Sequence, residues 1–88
     1  MNFEIGKLIN YDGYTGDIVS KDKKYVFLSK NTEDRNLTNN QTVVFEPATV
    51  NNINIAFNVL SYDLYINKKT NPRLVKKNNN NYDIINKE

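Results

Sequence analysis

The chain has 88 residues, 12 of them Lys or Arg and 10 Asp or Glu, with 17 Asn and no His, Cys or Trp. That length allows one domain with a small core, and the inventory leaves out disulfides, Cys/His zinc sites, cysteine nucleophiles and histidine acid–base chemistry. No run approaches the roughly 18 apolar residues of a membrane span and the start, Met1-Asn2-Phe3-Glu4, lacks the features of a signal peptide, so the expectation is a cytoplasmic binding module with no membrane contact, no catalytic residues, no metal and no cofactor.

Residues 3–11 read as a first strand, ended by Asp12-Gly13, a hairpin signal. Simple alternation turns Phe3, Ile5, Ile9 and Tyr11 one way and Leu8 the other. Residues 16–20 form a second strand, Lys21-Asp22-Lys23 a polar turn, and residues 24–29 a third strand rich in β-formers. In that strand Tyr25 and Phe27 share one face, and Val26 and Leu28 share the other. The aliphatic pair reads as core, which leaves the aromatic pair exposed on a binding face.

Residues 30–41 are a long polar connection that Leu37 pins to the body. Residues 42–46 form a fourth strand, stopped by Pro47. Asn51-Asn52 turns the chain into a fifth strand, 53–59, whose alternation points Ile53, Ile55, Phe57 and Val59 inward and Asn54, Ala56 and Asn58 outward. Phe45 and Phe57 are expected in the core. Tyr62, Leu64 and Ile66 keep a period of two, so residues 61–76 read as a strand extension or an added hairpin. Residues 77–88, with four consecutive Asn at 78–81, read as a flexible tail. The domain proper is 1–60. The Asn excess, beside many Lys and Ile, resembles the bias of an AT-rich genome, and physically it favours turns and caps.

Charge is uneven. Residues 1–60 carry six basic and seven acidic groups, whereas the stretch between Leu64 and Tyr82 holds Lys68, Lys69, Arg73, Lys76 and Lys77 with no acid. Such a segment attracts phosphate. It equally suits a solvated tail.

Five short strands, grouped three and two around a long connection, suit an all-β Greek-key barrel of the oligonucleotide/oligosaccharide-binding (OB) type. Over residues 4–60 the chain resembles the cold-shock domain family. The resemblance rests on the Gly6–Tyr11 stretch, Tyr14-Thr15-Gly16-Asp17-Ile18, Lys24–Ser29, the Asn40–Glu46 stretch and Ala56-Phe57-Asn58-Val59. It implies a single-stranded RNA- or DNA-binding face on strands one to three. Stacking would fall to Tyr11, Tyr14, Tyr25 and Phe27, and phosphate contacts to Lys7, Lys24 and Lys30, with Lys68 and Lys69 adding charge. It also turns Leu8 inward and Tyr11 outward, against the simple alternation; a bulge near Gly6 would reconcile the two in part. The family's exposed strand-one Trp falls on Asn10, and a strand-two aromatic on Asp17. The alternative to nucleic acid is a protein-interaction module, binding another protein or a second copy of itself, on the same barrel.

Overall fold

The computed structural model describes residues 2–70. It contains strands β1 (Glu4–Ile9), β2 (Thr15–Ser20), β3 (Lys23–Leu28), β4 (Thr42–Val50) and β5 (Ile53–Ser61), a single 3-10 turn at Ser29–Asn31, and a helix α1 (Tyr62–Thr70). The strands close in the order β1-β2-β3-β5-β4, with β4 returning to β1. Among the described strand pairs, only β3 and β5 run parallel, with an isolated parallel bridge between Thr32 and Val59 beside them. This is a small OB-type barrel, and closure leaves no free sheet edge around its body.

The Asn residues do specific work in the backbone. Among the described residues, Asn10, Asn40, Asn51, Asn52 and Asn58 have positive φ, with Lys21 the other non-glycine case. Asn tolerates the left-handed region better than other side chains do. Asn51 and Asn52, at φ 52° and 68°, form the two-residue turn of the β4–β5 hairpin, whose mirror-image geometry matches strand twist. Asn52→Gly should therefore leave stability near its starting value, whereas Asn52→Val should cost about 1–2 kcal/mol, read as a drop in the urea midpoint.

Inside the barrel, ring size is matched against small residues. Phe27 is fully buried and lies in register between Gly16 on β2 and Ala56 on β5. Gly6 leaves room near the Phe45 ring. The Tyr11 and Phe27 rings sit 5.2 Å apart and those of Tyr25 and Phe45 4.9 Å apart, both tilted, an arrangement that aromatic quadrupoles favour. Leu8, Ile18, Val43 and Val59 complete the core, and Leu37 closes it from the long connection, as the sequence implies.

Several expectations are corrected by this packing. Tyr25 and Phe27 point inward, and Val26 and Leu28 are the outward pair. With two glycines and an alanine on the inner surface, aliphatics at positions 26 and 28 would leave the interior underfilled. In β1, Leu8 is inward and Ile5 outward, with unbroken pairing through Gly6 and no bulge there. Tyr11, half-buried, lies beyond the strand and packs against the core.

In β5, Ala56 rather than Phe57 faces in; Ile53 is exposed, and Ile55 and Phe57 are half-buried. The reversal has a local cause. Glu46 pairs with Phe57 and Val44 with Leu60, so Phe45 faces both Asn58 and Val59. Asn58, at φ 52°, is the extra residue of a bulge. Its side-chain amide donates to Glu46 Oε1 at 2.7 Å. β4 also continues past Pro47 to Val50. Its pairing with β1 ends at Phe45, so the missing N–H of Pro47 leaves no partner on that side wanting.

Tyr62–Thr70 is helical rather than a strand or hairpin; residues 71–76 and the tail expected at 77–88 lie outside the described residues. Ser61 caps the helix by accepting the Leu64 N–H at 3.1 Å, and Asp63 in the first turn complements the helix dipole. The helix lies against β4 and β5, and Tyr65 meets the Phe3 ring at 5.9 Å. Val44, outward between Val43 and Phe45, is only 2% exposed beneath this cover.

The long connection is held by polar side chains. The Asn39 amide accepts the Tyr11 N–H at 2.7 Å and donates to the Tyr11 carbonyl at 3.0 Å, standing in for a strand partner. The Thr32 hydroxyl donates to the Val59 carbonyl, and Asp34 accepts the Ser61 N–H at 3.1 Å.

Candidate functional site

The outer face of β1–β3 is set by strand register. Ile9, Asp17, Val26 and Ile55 form one row across β1, β2, β3 and β5. Lys7, Val19 and Lys24 form the next. Leu28 stands two residues beyond Val26 on β3. Ile5, Lys7, Val19 and Lys24 are exposed, while Ile9, Asp17, Val26 and Leu28 are half-buried. The face is therefore aliphatic, with one carboxylate at its centre and two lysines to one side. The Asn10 amide donates to Asp17 Oδ2 at 3.3 Å, which ties the carboxylate to the residue that follows β1.

The expected stacking set does not assemble here. Phe27 is 0% and Tyr25 5% exposed, so neither offers a ring face to a base. Tyr11 is half-buried, its ring against Phe27 and its hydroxyl donating to the Gly13 carbonyl at 3.3 Å. Tyr14 alone of the four is open, at 79% exposure, on the β1–β2 turn. The lysines divide between two places. Lys7 and Lys24 flank Val19 on the strand face. Lys30 and Lys68 line a separate cleft, and Lys69 follows Lys68 in α1.

Asp12 organises the turn that carries Tyr14. Its Oδ1 accepts the N–H groups of Tyr14 and Thr15, each at 2.9 Å, and the bonds from Thr15 and then Tyr14 hold the carboxyl below its ordinary 3.8. Because the folded value is the lower one, the turn's stabilisation is present above that ordinary value and is lost as pH falls through the folded one. Acidification below about pH 4 should loosen this hairpin first. Asp12→Asn, which keeps an acceptor, should remove that part of the acid dependence, as followed by amide NMR of Tyr14 and Thr15.

The cleft of Lys30 and Lys68 was not legible as a unit. It lies between the 3-10 turn, β5 and α1 and has a volume of about 360 Å³, with Phe3, Phe57, Asn31 and Asn58 among its lining residues. Its parts come from four separated segments, and it depends on the Asn58 bulge and on the helix. Neither feature shows in strand alternation.

Barrel and face together define a small OB-type barrel with an aliphatic outer sheet face. No family model matches the chain, and no curated protein matches it. Among the described residues, no helix is long and apolar enough to cross a membrane.

Proposed function

We propose that the barrel is a protein-interaction module whose docking surface is the outer face of β1–β3. The observation that carries this reading is the inversion of β3. The outward positions hold Val26 and Leu28, so the face offers aliphatic contact in place of rings. Aliphatic side chains exclude water against another protein's apolar surface but give a base no π face to stack on. Asp17 repels a phosphate backbone and suits a partner that brings one Lys or Arg over it. Lys7 and Lys24 sit at the rim, where charge steers association. Nucleic-acid binding in the cold-shock manner is the competing reading, supported by Tyr14, Lys7 and Lys24 but lacking a stacking platform.

A photo-crosslinking side chain at position 26 tests this. In cells it should trap a discrete protein, whereas the same group at position 14 should not. Asp17→Lys, an exposed-face change, should weaken the trapped contact about tenfold or more, equivalent to ~1.4 kcal/mol. If T-rich or U-rich oligonucleotides at low salt instead move the amides of Ile9, Asp17 and Val26, and no protein is trapped, the nucleic-acid reading stands in its place. Recovery of crosslinked copies of the chain itself would show the partner to be a second barrel.

A further inference from the structure

We infer that the cleft between the 3-10 turn, β5 and α1 is a binding site for a planar aromatic anion of nucleotide size, a nucleoside phosphate. It shares no lining residue with the docking face but adjoins it, Phe57 following Ile55 on the outer side of β5 and Lys30 following Leu28 after β3. The inference rests on residue types and on volume. Two lysines, Lys30 and Lys68, and two phenylalanines, Phe3 and Phe57, line one space of about 360 Å³, within the range of small-ligand sites. Among the described residues, neither lysine is committed to an ion pair. Lysine is a point-charge partner for phosphate, and a phenyl ring offers a base its π face. Asn31 and Asn58 add amides of either hydrogen-bonding sense to the wall. Glu33 also lines the cleft; its carboxylate opposes a phosphate placed beside it and suits a sugar hydroxyl or a base amino group as donor.

The fold explains why this combination occurs here. The Asn58 bulge leaves Phe57 on the outer surface of β5. The Ser61 cap starts α1 directly after that strand, which brings Lys68 back across the barrel. The 3-10 turn brings Lys30 to the same cleft. Phe3 is propped by the Tyr65 ring yet stays 40% exposed. The Tyr65 contact leaves part of the Phe3 ring open to the cleft that the two lysines also line.

The phosphate could belong to a free nucleotide or to the end of a single strand, and the test separates the two. Adenosine monophosphate, titrated into the full-length chain labelled with nitrogen-15, should shift the amides of Asn31, Thr32, Asn58 and Val59 with a Kd on the order of 0.1–1 mM. Inorganic phosphate alone should bind at least about fivefold more weakly, because it forgoes the rings. The Lys30→Ala/Lys68→Ala double variant should lose about tenfold or more in affinity, as should Phe57→Leu; a retained amide spectrum in each shows that the fold survives. Tighter binding of a 5′-phosphorylated hexathymidylate than of the mononucleotide would assign the site to strand ends, and equal or weaker binding to free nucleotides. The inference is overturned if these amides stay in place at about 10 mM nucleotide, a concentration that would nearly saturate a site of this affinity, or if their shifts survive the lysine double variant. Val19→Ser, an uncharged change on β2 of the docking face, should leave the titration unchanged, so failure of the docking face and failure of the cleft are distinguishable.

Discussion

Phe27→Ala is expected to remove about 3–5 kcal/mol of stability, most of what a barrel this small possesses. The ring is fully buried, and its neighbours in register are Gly16 and Ala56. Neither has a side chain able to swing into the space left behind. Tyr11 loses the ring it packs against in the same step, and with it part of the anchorage of the long connection through Asn39. Urea unfolding followed by far-ultraviolet circular dichroism should show the midpoint falling sharply or the variant unfolded without denaturant. Tyr14→Ala, at the exposed turn, should stay within about 0.5 kcal/mol of the starting protein. An unchanged midpoint for Phe27→Ala would mean that the ring lies on the surface and that the stacking platform exists after all.

Gly6→Ala should be nearly as damaging. A Cβ at Gly6 would stand 2.7 Å from the Ile18 Cγ2 and 2.7 Å from the Val19 carbonyl oxygen, with Phe45 Cε1 at 3.3 Å. The methyl could yield, but the carbonyl belongs to β2 and moves only with the β1–β2 pairing. We expect a loss of about 3 kcal/mol, the upper part of the range for overpacking. Gly13→Ala is the control. It meets nothing within 4 Å but sits at φ 99°, so it pays backbone strain of about 1–2 kcal/mol alone. Equal unfolding midpoints for the two variants would show that the close approach at Gly6 is relieved without cost.

These two positions also explain how far the sequence could be read. Strand number, order and turns follow from local signals, such as Asp12-Gly13, Asn51-Asn52 and the runs of β-branched and aromatic residues, and the structure places strands and turns there. Which face of a strand is inner is a different question. For β3 it depends on Gly16 and Ala56, which come from other strands and have no pattern of their own. Aliphatics look more like core than aromatics do until the volume to be filled is known. The helix is hidden in the sequence because Tyr62, Leu64 and Ile66 imitate a strand, although Ser61 followed by Asp63 is a helix-start signal. Each error carried into the site. Tyr25 and Phe27, expected on the binding face of β1–β3, are core, and Val26 and Leu28, expected in the core, lie on that face. Lys68, expected to add charge to that face, lines a cleft with Lys30 instead.

The bulge at Asn58 bears on how this chain would align with any relative. Omit that one residue and β5 alternates strictly, with Ala56 and Val59 inward, Phe57 outward, and Phe45 facing a single partner. A homologue with a regular fifth strand would thus match this one only across a one-residue gap at position 58. A gap-free alignment would set inner positions against outer ones on one side of it, and a shared barrel would score there as two unrelated strands.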